Sequence, residues 1–294
     1  MSESLSGSIV ALVTPMHTSG EVDWEALNGL LDWHVESGTN AIVPMGTTGE
    51  SATLDVEEHL EVVRHTVAKV NKRVPVIAGT GANSTSEALT LTRGSAEAGA
   101  DACLMVTPYY NKPTQEGLYQ HYRTVAEAVP IPIVLYNVPP RTACDMAPDT
   151  VARLAEIDSI VGIKEACGDA ARVAEIRARC PEDFIILSGE DAQTLDMMKL
   201  GARGCISVTA NVVPAAMSAF CAAYLTGEVE RAEAFDATLQ PLHEVLFVEV
   251  SPQPVKWILA EMGRIGAGIR LPLLPLSGPH RAEVRRRFEE FGAL

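Results

Sequence analysis

Paired cysteines and patterned metal ligands are missing from this sequence of 294 residues. No two cysteines stand in a CxxC pair, and the seven histidines form neither an HxxxH nor an HExxH spacing. A zinc site therefore has no support, and we predict that the protein holds no metal. The six cysteines are scattered and lie mostly within apolar runs, which is typical of reduced, buried thiols in a reducing compartment; they are Cys103, Cys144, Cys167, Cys180, Cys205 and Cys221.

Positive charge is also scarce, since 23 lysines and arginines face 38 aspartates and glutamates, for a formal net charge of −15. This balance disfavours nucleic acid and anionic membranes as partners, although a small anionic substrate can still bind a locally positive site. The first residues, 1–6, contain no basic segment that leads into a long apolar stretch. We therefore expect neither a signal peptide nor a transmembrane helix, and a cytoplasmic location.

No GxGxxG turn follows the first apolar run, which argues against an open dinucleotide-binding sheet. Instead, short apolar runs recur at the spacing of a strand–helix unit and are predicted to be parallel strands buried on both faces. There are eight of them, at residues 9–14, 41–45, 74–78, 102–107, 131–136, 160–164, 184–188 and 204–208.

Amphipathic segments such as Trp24–Glu36, Val56–Val70 and 86–98 lie between these runs and predict helices. Asp55 and Ser84 each stand three residues before a glutamate, which is the capping-box spacing of a helix start. The alternation predicts an α/β fold, a (β/α)8 TIM barrel over residues 1–211 with its active site at the C-terminal strand ends. Residues 212–294 are predicted to form the last barrel helix and additional C-terminal helices.

Lys164 closes the sixth apolar run, and Tyr136 closes the fifth in the same way. Because the two lie one strand–helix repeat apart, we predict that they are side by side on neighbouring strands. A partly dehydrated lysine amine can lose its proton and attack a carbonyl, and a nearby phenol can move protons. The pair therefore predicts imine chemistry.

The segments that follow the predicted strands should meet at the C-terminal face of the barrel. They contain the lysine, three tyrosines, several threonines, an arginine and glycine turns, in GTTGES, GTGAN, TPYYN, YNVPPR, SGE and SVTAN. No phosphate loop and no Ser-His-Asp set occurs among them. The inventory suits a Schiff-base enzyme that holds the carboxylate of a 2-oxo acid in the threonine–glycine turn, with its ketone against Lys164.

Five motifs, GTTGES, TPYYNKPTQEG, LYNVP, GIKEA and SVTAN, follow one another over nearly the whole chain, from about Gly7 onward. Together they resemble the dihydrodipicolinate synthase family of class I aldolases, in the superfamily that also contains N-acetylneuraminate lyase and 2-keto-3-deoxygluconate aldolase. The resemblance implies a lyase that condenses pyruvate with aspartate 4-semialdehyde to 4-hydroxy-tetrahydrodipicolinate, the first committed step toward diaminopimelate and lysine. It also implies no cofactor, and a homotetramer built from two tight dimers.

The resemblance further implies a role for each matching residue. Lys164 would form the Schiff base with pyruvate, and Tyr136 would donate and accept protons. Thr47 would link Tyr136 to Tyr110, which would reach into the site of a neighbouring subunit. Substrate binding falls to Thr48 and the backbone at Ile206 for pyruvate, Gly189 near the same pocket, and Arg141 for the carboxylate of the second substrate. Glu165 adjoins Lys164, but strand alternation points it away, so we predict a structural role for it.

In the family, free lysine inhibits by binding at a subunit interface, and the resemblance implies such a site near Ser51, Ala52, His59, Asn83, Glu87 and Tyr109. A carboxylate for the ammonium group of the ligand, with amide and phenol hydrogen bonds, makes chemical sense there. Glu87 also has a local explanation as the capping partner of Ser84, and His59 as an ordinary helix-surface histidine. Val56 replaces a second histidine found in some members, so we predict weak or partial inhibition.

Smaller departures from the family pattern are Met45, Glu190 and Ser251, and none is predicted to touch the catalytic set.

Other functions also fit parts of the sequence. A pyruvate aldolase for sugar acids would share Lys164, although Arg141 and Tyr110 suit a short anionic aldehyde better. A pyridoxal phosphate enzyme would need a reactive lysine, but also a phosphate cradle. The last alternative is a catalytically silent barrel that binds amino acids or a partner. The complete set of expected site residues argues against it.

Overall fold

The computed structural model describes residues 5–294 and contains one sheet of eight parallel strands. Strands β1 to β8 are Gly7–Ala11, Ala41–Val43, Ile77–Gly79, Ala102–Val106, Ile133–Asn137, Ile160–Glu165, Ile185–Ser188 and Gly204–Ser207. Consecutive strands pair from β3 to β8, and β1 pairs with both β2 and β8. A parallel bridge from Ile42 of β2 to Val76, just before β3, closes the gap between β2 and β3. The predicted α/β barrel is confirmed, and every strand overlaps one predicted run.

Helices surround the ring and follow it. Helices α1 to α12 are Trp24–Glu36, Val56–Val70, Thr85–Glu97, Gln115–Ala128, Pro139–Thr142, Pro148–Leu154, Ala171–Arg177, Thr194–Lys199, Pro214–Leu225, Val229–Val245, Gln253–Glu261 and Gly278–Phe291. Asp55 caps α2 as predicted, since its carboxylate accepts a hydrogen bond from the Glu58 amide at 2.9 Å. The capping prediction is wrong at Ser84, because its hydroxyl pairs with the Ser86 hydroxyl instead, at 2.9 Å.

Side chains alternate between two apolar layers along each strand. Val134 and Tyr136 of β5 belong to the layer inside the barrel, whereas Leu135 packs with the layer under the helices. Ile163 of β6 also belongs to the outer layer. Because successive strand residues face opposite sides, Lys164 points inward and Glu165 outward.

All six cysteines are free thiols, and four of them are buried. The predicted burial is confirmed for Cys103, Cys144, Cys205 and Cys221 and is wrong for Cys167 and Cys180, which are partly exposed. Among residues 5–294, no helix combines the length and the apolar character needed to cross a lipid bilayer.

Candidate active site

The register of β5 and β6 pairs Tyr136 directly with Lys164. The Lys164 Nζ lies 4.4 Å from the centroid of the Tyr136 ring, and the two residues are only 5% and 7% exposed. The prediction that they are neighbours is confirmed. Within the described chain the Lys164 amine has no hydrogen bond or ion pair, so it is available to react with a bound molecule.

Both side chains open into a cavity of about 60 Å³ at the C-terminal ends of the strands. Six residues of the predicted catalytic and substrate-binding set line it: Lys164, Tyr136, Thr47, Thr48, Arg141 and Gly189. Ile206 is buried within β8, and its neighbour two residues on, Val208, forms the wall there. Gly189 follows β7 and packs against Lys164, where the absence of a side chain leaves room for the carbon chain of the lysine.

Tyr110 lies outside this cavity. It is 90% exposed and adopts a left-handed backbone conformation with φ 75°. A single chain therefore does not bring the Tyr110 hydroxyl to Lys164.

Two oppositely charged groups share the cavity with Lys164. The Arg141 guanidinium makes a long hydrogen bond of 3.4 Å to the carbonyl oxygen of Ser251. Glu190 is half-buried in the same wall, where burial raises the pKa of its carboxyl and the charges of Lys164 and Arg141 lower it. The prediction that Glu190 and Ser251 do not touch the catalytic set is wrong, because the loops after β7 and before α11 both turn over the mouth of the barrel.

The threonine–glycine turn is anchored by a buried ion pair between Glu50 and Lys256, which the sequence analysis did not predict. Glu50 is buried with φ 59°, forms an ion pair with Lys256 of α11, and accepts a hydrogen bond from the Arg270 amide at 3.0 Å. Lys256 also donates to the carbonyl oxygen of Thr14 at 3.0 Å. Burial lowers the pKa of Lys256, and the Glu50 charge opposes that shift.

The sequence feature that could have indicated this pair is Lys256, a lysine among the apolar residues of α11. A buried ammonium group needs a counter-ion. The partner lies more than two hundred residues away, however, so the sequence could not identify it.

The loop after β8 is fixed by Asp191, which follows β7, and by its own Asn211, which bonds to the end of β1. The Asp191 carboxylate accepts hydrogen bonds from the amides of Val208 at 2.9 Å and Thr209 at 2.8 Å. The Asn211 side chain accepts from the Val13 amide at 3.0 Å and donates to the carbonyl oxygen of Ala11 at 2.8 Å. These bonds fix the backbone at Ala11 and Val208, which line the cavity together with Lys164.

Glu165 points away from the cavity, as predicted. Its carboxylate accepts hydrogen bonds from the Asn137 side-chain amide at 3.1 Å and from the Cys167 amide at 2.8 Å. Burial raises the pKa of this carboxyl, and the hydrogen bonds oppose the shift. The residue links the ends of β5 and β6 behind the reactive pair.

A second cavity, of about 300 Å³, adjoins the first, since Thr47 and Arg141 line both. Five of the six residues predicted for lysine binding line it, together with Val56: Ser51, Ala52, His59, Glu87 and Tyr109. Asn83 is not part of the lining, and its carbonyl oxygen accepts a hydrogen bond from the Asn111 side chain at 2.8 Å.

The local explanations for His59 and Glu87 do not hold. His59 is 4% exposed, its Nε2 lies 2.7 Å from the carbonyl oxygen of Gly79, and burial lowers its pKa. Glu87 caps no helix with Ser84, and its carboxylate has no hydrogen bond or ion pair within residues 5–294. Burial, followed by the charge of Glu87, raises the pKa of Tyr109.

In the part of the chain that the structure describes, no three His, Cys, Asp or Glu side chains converge in an arrangement that could hold a metal ion. The arrangement around Lys164 can instead do covalent chemistry on a small carbonyl compound. It supplies a buried amine, an adjacent phenol, hydroxyl groups and a cation for an anionic substituent.

Comparison with known proteins identifies similar sequences and structures over almost the full length. Residues 4–290 match the model of the dihydrodipicolinate synthetase family. A 4-hydroxy-tetrahydrodipicolinate synthase from Alcanivorax borkumensis is 58% identical over 290 residues, which cover 99% of each chain.

Two solved structures are also informative. The chloride-inhibited dihydrodipicolinate synthase from Acinetobacter baumannii, complexed with pyruvate, is 51% identical with a TM-score of 0.97, and the match covers 99% of this chain and 100% of that one. The enzyme from Cyanidioschyzon merolae with lysine bound is 38% identical with a TM-score of 0.96, over 99% of both chains.

Proposed function

This chain belongs to the dihydrodipicolinate synthetase family, and we propose that Lys164 is the amine on which it joins its two substrates. The protein is a lyase that condenses pyruvate with L-aspartate 4-semialdehyde to 4-hydroxy-tetrahydrodipicolinate, in lysine and diaminopimelate biosynthesis. The observation that carries the assignment of Lys164 is its register with Tyr136 in a cavity where the amine has no hydrogen bond or ion pair to any of residues 5–294.

The first half of the reaction forms a nucleophile from pyruvate. The neutral Lys164 amine attacks the ketone carbon, and the carbinolamine loses water to give a protonated imine. Loss of a proton from the methyl group then gives an enamine. Tyr136 is the group placed to donate and accept these protons, because its ring lies against the reacting nitrogen.

The second half forms the new bonds. The enamine carbon attacks the aldehyde carbon of the second substrate. The amino group of that substrate then attacks the imine carbon, which closes the ring and releases the Lys164 amine. In this proposal Thr48 and the backbone at Ile206 hold pyruvate, and Arg141 holds the carboxylate of the aldehyde. A planar guanidinium suits that task because it can grip a carboxylate at two points.

Trapping with borohydride tests this assignment directly. Incubation with pyruvate and borohydride reduces an imine to a stable secondary amine, and peptide mass mapping should locate that adduct on Lys164. Lys164→Ala should abolish both the adduct and the turnover, whereas a variant of an exposed lysine such as Lys72→Ala should retain both. An unmodified Lys164 after this treatment would overturn the proposal and favour a silent binding barrel.

Two further assays separate the related enzyme functions. Turnover of N-acetylneuraminate but not of aspartate semialdehyde would favour a sugar-acid lyase. Absorbance of an internal aldimine in the purified protein would favour a pyridoxal phosphate enzyme.

We also propose that the protein is a homo-oligomer, a tetramer composed of two tight dimers. Thr47 lines the cavity, and Tyr110 is displayed to solvent on the same face of the barrel. A relay from Tyr136 through Thr47 to Tyr110 requires the Tyr110 of an adjacent subunit. Sedimentation at micromolar concentration tests the oligomer, and a monomer with full activity would refute the relay.

The second cavity supports a further proposal, that free L-lysine binds there as a feedback inhibitor. His59, Glu87 and Tyr109 provide a histidine nitrogen, a carboxylate and a phenol around a space of about 300 Å³. The related enzyme from Cyanidioschyzon merolae has been solved with lysine bound. Calorimetry and activity titration with L-lysine test the proposal together.

A cytoplasmic location is also proposed. Six free cysteines, four of them buried, suit a reducing compartment. Fractionation of cells that express the tagged protein tests this, and recovery outside the cytoplasm would contradict it.

A further inference from the structure

Among residues 5–294, Glu190 supplies the one carboxylate in the wall of the active-site cavity. The backbone of this residue is fixed: its amide donates to the Ser188 hydroxyl at 3.2 Å, and its carbonyl oxygen accepts from the Thr194 hydroxyl at 3.1 Å. The carboxylate itself has no hydrogen bond and no ion pair within residues 5–294. A half-buried, unpaired carboxylate on a rigid turn is costly unless a ligand compensates it.

The other acidic side chains near the cavity already have partners. The Asp191 Oδ2 accepts hydrogen bonds from the amides of Val208 and Thr209, and Asp191 does not line the cavity. Glu165 faces outward and binds the Asn137 side chain. Neither can serve a molecule in the cavity, which leaves Glu190 for that purpose.

Lys164 and Arg141 are the cations that share the cavity with Glu190. During the proposed reaction the Lys164 nitrogen is bonded to pyruvate. Within the described part of the chain, the Arg141 guanidinium makes one hydrogen bond, its long contact with Ser251. A second substrate therefore meets one fork-shaped cation and one carboxylate. This pair of charges complements an α-amino acid, which carries a carboxylate and an ammonium group on one carbon.

We infer that Glu190 binds the α-ammonium group of the second substrate while Arg141 binds its α-carboxylate. Glu190 is then a specificity-determining residue. It makes the site select an amino-acid aldehyde over a simple anionic aldehyde of the same length. This inference rests on the proposed function, because it presupposes that aspartate semialdehyde reacts in the Lys164 cavity.

The experiment compares two ligands that differ only in the ammonium group. One is aspartate 4-semialdehyde as the varied substrate. The other is 4-oxobutanoate, which has the same aldehyde and carboxylate but hydrogen in place of the ammonium group, as a competitive inhibitor. The variants are Glu190→Gln, which is nearly isosteric and uncharged, and Glu190→Asp, which keeps the charge on a shorter chain.

Loss of a charge-assisted hydrogen bond should raise the KM for aspartate semialdehyde about tenfold or more in Glu190→Gln. The inhibition constant of 4-oxobutanoate should stay within about twofold of the native value, because that ligand has no group for Glu190 to bind. Glu190→Asp should restore part of the affinity. As a comparison, Arg141→Gln should weaken both ligands, and Glu182→Gln, at an exposed glutamate on the opposite end of β7, should change neither.

Three results would overturn the inference. They are an unchanged KM in Glu190→Gln, equal weakening of both ligands, and a loss confined to kcat. Borohydride trapping of pyruvate on Lys164 is measured in parallel in each protein. A native protein that traps no pyruvate contradicts the proposed function, whereas trapping and turnover without ligand discrimination contradicts only the role of Glu190. If Glu190→Gln does not fold, the ratio of the two ligand constants in Glu190→Asp decides the question, and a native ratio counts against the inference.

Discussion

The α-carbon of Gly189 faces the side chain of Lys164 so closely that a Cβ at residue 189 would lie 2.9 Å from the lysine Cε. The same Cβ would lie 2.7 Å from the Ala166 Cβ and 3.1 Å from the carbonyl oxygen of Glu165. Glu165 is the last residue of β6 and Ala166 follows it directly, so neither atom can move without moving the strand. An added methyl group must therefore displace the reactive lysine, the strand or both.

Gly189→Ala is expected to lower kcat by at least about tenfold, because a displacement of about 1 Å at a reacting group can cost a hundredfold in rate. The rate of borohydride trapping with pyruvate should fall with it. Gly29→Ala in α1 is the matched control, since its Cβ meets no atom within 4 Å. That variant should keep full activity and gain roughly 0.5–1 kcal/mol of unfolding free energy. Trapping at the native rate in Gly189→Ala would count against the argument.

The Glu50–Lys256 pair predicts a large effect from single replacements. Glu50→Gln or Lys256→Met leaves one charged group buried without its partner, so the free energy of unfolding should fall by about 3–5 kcal/mol. The double variant should lose less than the sum of the two single losses. Urea denaturation measures all three. Lys199→Ala, which breaks an exposed ion pair with Glu233, should have little effect, and strictly additive losses would argue against a coupled pair.

Mixed oligomers test the proposed role of Tyr110. Lys164→Ala and Tyr110→Phe should each have low activity alone. If Tyr110 serves the adjacent subunit, a mixed dimer contains one site with both an intact lysine and an intact tyrosine, and activity should reappear after subunits are exchanged. If Tyr110 serves its own subunit, no site is complete and mixing restores nothing. The measurement is specific activity before and after unfolding and refolding of the mixture.

Val56 forms part of the second cavity at the first turn of α2, one turn before His59, and is 37% exposed. Val56→His adds a second imidazole to that wall and should tighten L-lysine binding by about tenfold, the size expected for one additional hydrogen bond to a charged ligand. Glu87→Gln should weaken binding in the same calorimetric titration. Absence of both heat and inhibition in the native protein would remove the lysine proposal.

His34 predicts a pH dependence of stability. It is buried in α1 with Nδ1 3.0 Å from the Thr39 hydroxyl, and burial lowers its pKa from 6.5 to about 3. The unfolded chain therefore takes up a proton near pH 6.5 while the folded chain does not, so stability is full above that pH and is lost as the pH falls. Between pH 8 and pH 5 the loss from this residue should be about 2 kcal/mol. Urea denaturation at both pH values should give a smaller difference in His34→Gln, and the same difference would contradict the prediction.

Local patterns predicted much of the fold. The bounds of α1 and α2 agree with the structure residue for residue, because each has a clear apolar stripe and an acidic cap, Asp23 for α1 and Asp55 for α2. The Tyr136–Lys164 contact was predictable because equal repeats place equivalent positions next to each other in a barrel. The division of the chain at residue 211 stays a prediction.

Other features depend on geometry that a pattern cannot encode. Ser84 has the right spacing for a cap and directly precedes α3, but its hydroxyl pairs with the hydroxyl of Ser86, and the spacing pattern does not show which of these local partners a serine takes. Glu190 and Ser251 reach the cavity because of where two loops fold over the barrel. The partner of Glu50 is set by the packing of α11, far along the chain.

That distance has a consequence for how the protein is made. The ribosome synthesises the threonine–glycine turn and Glu50 early. Lys256, whose ammonium group neutralises Glu50, is synthesised near the end of translation, and Arg270 follows it. Until then the growing chain contains every proposed catalytic side chain but lacks the Lys256 ammonium group that pairs with Glu50. A truncated product that stops before α11 should therefore be inert towards pyruvate, although nothing that touches the substrate in its first half-reaction has been removed.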